Sequence, residues 1–237
     1  MITLKLHHTK DESLLVRTFY FSPAQPVSYQ AGQFAEFNLP HSNPDSKGIS
    51  REFTLSSSPS ENLLAITVKN SGTPSTFKEA LWQLQPGEQL GINEPLGDFV
   101  LPLDDSIPLV WIAGGIGITP FRSHAVWLDD NQESRPITLI HYNHAEPIFF
   151  DLIQRHIGAA NAHVVTEPSW QQQHNNPANI ASAATAAALA KISPQTAQQA
   201  FFYIAGPDSM VQAVAQSLQG YHIARERIIT DAFLGYK

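Results

Sequence analysis

The chain has 237 residues, no cysteine and a formal charge of −7, with 14 Lys and Arg against 21 Asp and Glu. Its 43% hydrophobic content, including 13 Phe and 4 Trp, suits a packed core and is too rich for a disordered chain. Disulfides, zinc–thiolate sites and cysteine-held clusters are excluded within this chain, and the acidic balance argues against a nucleic-acid surface. No run approaches the roughly 18–20 apolar residues of a membrane span. The opening Met1 to His8 alternates like a strand rather than carrying a signal peptide's apolar core. With no disulfides to form, a cytoplasmic location is expected.

Residues 14–21, 34–39, 53–56 and 63–69 are β-rich runs, punctuated by Pro23, Pro26, Gly32, Pro40, Pro44, Gly48 and Pro59. One helix is predicted over residues 75–84, with Phe77, Leu81 and Leu84 on one face and Pro86-Gly87 ending it. Many short strands and one helix suggest a small antiparallel barrel. After residues 102–106 the rhythm changes. Strands are predicted over 108–113, 137–142, 162–166 and 201–205. Helices alternate with them up to about residue 128 and over 148–156, 179–191 and 208–218. Such alternation implies a parallel sheet covered on both faces. The expected fold class is therefore β plus α/β: an antiparallel β-barrel over residues 1–104, then a parallel-sheet, Rossmann-like α/β domain over 105–237. That division leaves no room in the chain for a third module. Residues 170–200 are rich in Gln, Asn and Ala and read as an exposed helix with its approach loop.

In the second half a strand runs into Gly114, Gly115, Ile116, Gly117 and Ile118, then into a helix with Thr119 as expected N-cap and Pro120 at its first position. Glycines admit a phosphate close to the backbone, and a helix N-terminus offers unpaired N–H groups. The G-x-G-x-x-G fingerprint is met only in part, because Pro120 stands where the third glycine belongs. A glycine turn of this kind also serves as an ordinary tight turn. A second strand-to-helix junction, Ala205, Gly206, Pro207, Asp208, Ser209 and Met210, is expected at the same sheet edge, where open α/β sheets bind ligands. In the first half, Arg51, Phe53 and Thr54 supply a planar fork for phosphate, an aromatic face and a hydroxyl. Gly72, Ser75 and Thr76 open the helix of that half with small and hydroxylated residues suited to an anion.

Together these residues resemble the ferredoxin–NADP reductase superfamily over nearly the whole chain. Arg51, Phe53 and Thr54 look like its R-x-[YF]-[ST] motif, Gly72 and Ser75 like its G-x-x-S helix start, and Pro95, Gly97 and Phe99 like its P-x-G-x-F approach. Gly114 through Pro120 are similar to G-G-x-G-[IV]-[TS]-P, and Ala205 through Met210 to C-G-P-x-x-M. The tail with Phe233 is similar to the aromatic tails of bacterial members. The resemblance implies an FAD-binding barrel and an NAD(P)-binding α/β domain. It implies Arg51 on the flavin's phosphate, Phe53 against the isoalloxazine, and Thr54, followed by Leu55, near flavin N5 as the catalytic hydroxyl. Thr67 and Val68 would contribute backbone contacts, and Gly72, Ser75 and Thr76 the pyrophosphate site. Gly114, Gly115, Gly117, Thr119, Pro120, Ala205, Gly206, Pro207 and Met210 would line the nicotinamide nucleotide. Nicotinamide C4 would stack on flavin N5 at about 3–3.5 Å. Phe53 stands for the usual Tyr and Ala205 for the usual Cys, which puts the rate of hydride transfer in question rather than the fold.

The implied function is hydride transfer from NADH or NADPH to FAD, and then electron transfer to a separate acceptor: an iron–sulfur protein, flavodoxin, free flavin or ferric chelate. The alternative is a flavin- or nucleotide-binding sensor with little turnover. His144, Glu146 and Glu167 fall where a nucleotide's ribose is met; without Arg or Lys there, the two carboxylates favour NADH. No H-E-x-x-H, G-x-S-x-G or P-loop is present, so metalloprotease, serine hydrolase and kinase readings have no residues to carry them. His7, His8, His141 and His144 are read as surface or packing residues, and no metal site is expected.

Overall fold

The computed structural model describes residues 1–70, 74–143, 147–158, 162–165 and 185–233. It divides into two compact units, Met1–Val100 and Leu101–Lys237, parted four residues before the expected boundary.

The first unit is a six-stranded antiparallel sheet built from β1 (Ile2–Ser13), β2 (Val16–Pro23), β3 (Phe34–Asn38), β4 (Ser50–Thr54), β5 (Leu64–Lys69) and β6 (Gln89–Ile92). Their spatial order is β4-β3-β6-β1-β2-β5. Period-two alternation sends Leu4, Leu6, Phe19, Phe21, Phe37 and Ile66 into one core, where they are almost wholly buried. Each such side chain contributes about 1.5–3 kcal/mol. The helix α1 (Thr76–Gln83) closes this core with Phe77 and Leu81, one turn apart. Ser75 caps it by accepting the Lys78 N–H at 3.4 Å, and Leu84 ends it ahead of Pro86. The run expected over 14–21 is strand from Val16 onward, as β2, while Leu14, 98% exposed, lies in the hairpin turn that joins it to β1. β6, which no sequence pattern marked, fills the slot between β3 and β1.

The second unit is a five-stranded parallel sheet, β11-β10-β7-β8-β9. Its strands are β7 (Leu109–Gly114), β8 (Ile137–Tyr142), β9 (Ala162–Val165), β10 (Phe201–Pro207) and β11 (Ile228–Phe233). Helices α2 (Thr119–Asp130), α3 (Phe150–Ile157), α4 (Pro194–Gln199) and α5 (Asp208–Gly220) alternate with them. On one face Val110, Ile112, Phe202 and Ile204 pack with Val211, Val214 and Leu218 of α5. On the other, Trp111 stacks on Phe121 of α2 at 5.2 Å, with His124 between Trp111 and Tyr203 at 5.8 Å from each. β7 is buried throughout, as a central parallel strand must be. Residues 185–189 are helical; the rest of the helix expected over 179–191 lies mostly outside the described residues. The C-terminal segment read as a tail is a strand up to Phe233, pairing in parallel with β10.

Candidate functional site

In the second unit, β7 and β10 are adjacent and in register, Ala113 opposite Ala205, so the loops that follow them leave the same sheet edge. The first loop, a 3-10 turn (Gly115–Ile118), begins with Gly115 at φ +54° and open space around its Cα. A side chain at Gly117 would overlap the Ala205 carbonyl and lie 2.7 Å from Gly206 N. Gly114 faces Met210 and Pro207, and Gly206, at φ +152°, lies against Gly114. Gly114, Gly115, Gly117, Ala205, Gly206, Pro207 and Met210 are thus brought together, through backbone contact that only glycine permits.

Thr119 differs from expectation. It is the first residue of α2, Ile118 occupies the cap position, and the Thr119 hydroxyl donates back to the Ile116 carbonyl at 3.1 Å. The 3-10 turn runs straight into the helix, so the turn itself takes the place of a side-chain cap. Pro120 sits in the first turn, where a missing N–H costs nothing. Sequence reasoning passed over His141 as a packing residue. It ends fully buried on β8, with Nε2 3.0 Å from the Gly115 carbonyl, and so bonds directly to the glycine loop. Since a carbonyl only accepts, that nitrogen carries the proton. Burial pushes the ring's pKa down to about 4 against the opposing pull of this hydrogen bond.

In the first unit, Arg51 and Phe53 share one side of β4. The Arg51 guanidinium lies 5.6 Å from the Phe77 ring, and Phe53 is 5.7 Å from the same ring. Phe53 also meets Phe37 edge-on at 5.8 Å, which fixes its plane. Thr54 is buried on the opposite side. Leu55 is wholly buried and bridges Ile66, while Thr67 bonds to Ser56 at 3.0 Å and to Thr18 at 2.9 Å. Val68 points into the core. Because β5 is an edge strand, Thr67 and Val68 stand at a rim suited to backbone contacts. Ser75 and Thr76 open α1, with Lys78 one turn in; desolvation, then repulsion by Arg51 and Lys69, pushes Lys78 down to about 8. The loop before β4, whose Pro40, Pro44 and Gly48 mark it in the sequence as punctuation, adds a further group. Its Asp45 pairs with Arg51 at 2.6 Å, and this hydrogen bond holds the carboxyl below the usual carboxylate range.

The donors fit the groups implied. A guanidinium, two hydroxyls and the first turn of α1 suit a diphosphate, and the backbone cradle at Gly115 and Gly117 suits a second nucleotide. Gly72, His144, Glu146 and Glu167 lie outside the described residues, as does the tail beyond Phe233. Among the described residues no helix is long and apolar enough to cross a membrane.

Comparison with known proteins bears on the same elements. Residues 111–216 match the oxidoreductase NAD-binding domain family. A flavohemoprotein of Deinococcus radiodurans is 29% identical over 94% of this chain and 56% of its own length. The chain spans between a third and somewhat over half of the curated flavohemoproteins it matches first. The fold is that of the flavohem-like FAD/NAD-binding domain of a Vibrio cholerae nitric oxide dioxygenase, with a TM-score of 0.74, 20% identity and 98% of both chains covered. It is equally that of a Neisseria gonorrhoeae ferredoxin–NADP+ reductase solved with FAD and NADP, with a TM-score of 0.73, 20% identity and 97% of both chains covered. The chain thus has the fold shared by flavohemoprotein reductase domains and ferredoxin–NADP reductases, is similar in sequence to flavohemoproteins, and over residues 111–216 matches the oxidoreductase NAD-binding domain family.

Proposed function

We propose that this chain takes hydride from NADH or NADPH onto FAD and passes the electrons to a separate acceptor, such as an iron–sulfur protein, flavodoxin, free flavin or ferric chelate. The observation that supports this most is the meeting of the two loops after β7 and β10 at the carboxyl edge of adjacent parallel strands, where open α/β sheets take ligands. FAD, when bound, accepts the hydride and releases electrons singly or in pairs.

The protein's own part is binding and orientation. Arg51, Ser75 and Thr76 hold the flavin's diphosphate, and Phe53 offers its ring to the isoalloxazine. Thr54 supplies a hydroxyl beside the reacting nitrogen. The N–H groups of Gly115 and Gly117 hold the nicotinamide nucleotide, with Ala205, Gly206, Pro207 and Met210 closing the other side. Phe233, on β11 opposite Pro207, extends that edge. His141 keeps the Gly115 peptide turned by its hydrogen bond.

A second reading, a flavin- or nucleotide-binding sensor with little turnover, is favoured by one feature. Ala205 is buried at the β10 junction and presents only a methyl group where the superfamily motif has Cys. One experiment separates the two. The purified chain, reconstituted with FAD, is expected to show flavin absorbance that NADH or NADPH bleaches anaerobically. Flavin bound but not bleached favours the sensor, and failure to take up FAD removes the enzyme reading and the flavin assignment.

A further inference from the structure

The loop between β3 and β4 folds back over the start of α1, and Asp45 is its centre. Both carboxylate oxygens of Asp45 accept from Arg51 Nη2 at 2.6 Å. Arg51 Nη1 donates to the carbonyls of Lys47, Gly48 and Ser50, at 3.2, 3.3 and 2.6 Å. The turn is held by the Gly48 N–H on the Asp45 carbonyl at 2.8 Å and the Lys47 N–H on Asp45 Oδ1 at 2.9 Å. One side chain therefore engages the guanidinium and is in turn buttressed by its own loop.

The same loop engages Thr76. The Asp45 N–H donates to Thr76 Oγ1 at 3.1 Å, and His41 Nε2 lies 3.1 Å from that oxygen. His41 Nδ1 is 2.8 Å from the Leu39 carbonyl, which can only accept, so Nδ1 carries the proton. In the neutral ring Nε2 then accepts from the Thr76 hydroxyl, whose donor is thereby used. Arg51 and Thr76 are two of the groups that the proposed function assigns to the flavin's diphosphate. A carboxylate and a phosphate address a guanidinium through the same two-oxygen geometry, and two anions at one fork repel each other.

We propose that Asp45 competes with the flavin's diphosphate for Arg51, so that the loop between β3 and β4 gates cofactor loading. This rests on the flavin reading above. FAD enters only as Asp45 yields the guanidinium, and the loop's grip on Thr76 loosens with it. A flavin without phosphate needs no such exchange. The contrast between the two ligands separates competition from a merely structural ion pair, whose loss would weaken binding of both.

The test uses the full chain stripped of flavin, titrated with FAD and with riboflavin by fluorescence, for wild type, Asp45→Asn and Asp45→Glu. Asn keeps an acceptor for the Lys47 N–H while removing the charge; Glu keeps the charge. For Asp45→Asn the FAD Kd is expected to fall about tenfold, equivalent to about 1.4 kcal/mol, with the riboflavin Kd unchanged and Asp45→Glu close to wild type. An FAD Kd that stays the same or rises in Asp45→Asn overturns the proposal while leaving the flavin reading intact. Failure of every variant and the wild type to bind either flavin overturns that reading and the proposal with it.

Discussion

At the scale of single residues, the candidate site was legible in the sequence where a distinctive residue type marks it, and hidden where only the fold brings a residue to its partner. Arg51, Phe53 and Thr54 stood out because fork, ring and hydroxyl rarely fall so close on one strand. Asp45 did not, since a carboxylate in a loop with Pro40, Pro44 and Gly48 reads as solvent-facing turn chemistry. Only the closing of that turn brings it to Arg51. Thr54 is buried, and its assigned role makes a direct prediction. Thr54→Val removes a hydroxyl at nearly constant shape. A lost hydrogen bond of about 1–1.5 kcal/mol slows flavin reduction roughly tenfold, with a smaller change in FAD affinity. Stopped-flow reduction at the wild-type rate would remove Thr54 from the mechanism.

Among elements, long and strongly patterned segments were recovered, and those defined by their neighbours were not. The strand expected over 137–142 is β8 residue for residue, and α1 differs only by its caps. β6 has four residues and no pattern of its own; it exists because β1 and β3 leave unpaired backbone on either side. β11 hid in an aromatic tail for the same reason, since β10 supplies its pairing. Leu14 and Leu15 disguised a hairpin turn, because neither is a turn residue and both prolong the apolar run. The contact between the 3-10 turn and the end of β10 is a matter of two elements and can be tested as such. Gly117→Ala drives a methyl into backbone, which cannot swing aside. It is expected to cost about 1–3 kcal/mol of stability and to weaken nucleotide binding. Gly220→Ala, at the end of α5 with nothing within 4 Å, is the control expected to keep nucleotide binding and to hold or slightly raise stability. Equal denaturation midpoints for the two variants would show that the loop yields more readily than its contacts indicate.

For the whole molecule, the change of rhythm near residue 100 announced two units, and the order of their motifs announced the fold that they adopt. Less legible was the choice between NADH and NADPH, because periodicity does not report local charges. One buried ring contributes to the molecule's acid response between pH 6.5 and 4. The folded-state pKa of His141 lies below its unfolded value of 6.5, at about 4. The unfolded chain therefore binds the extra proton first. His141 costs the fold nothing above pH 6.5, and stability falls as pH drops from there towards 4, by up to about 1.4 kcal/mol per unit. Chemical denaturation at neutral pH and at about pH 5 is expected to show this loss in wild type and a flatter profile in His141→Gln. Parallel profiles would assign the acid sensitivity elsewhere.

The Asp45–Arg51 pair also bears on how the chain comes into being. A diphosphate site is a pocket of positive charge, and a newly made polypeptide must fold around it whatever the supply of vitamin-derived cofactor at that moment. Here the counter-charge is encoded six residues upstream of the arginine itself. On the flavin reading, the β-unit therefore carries within its own sequence the counter-charge that balances Arg51 while the chain folds.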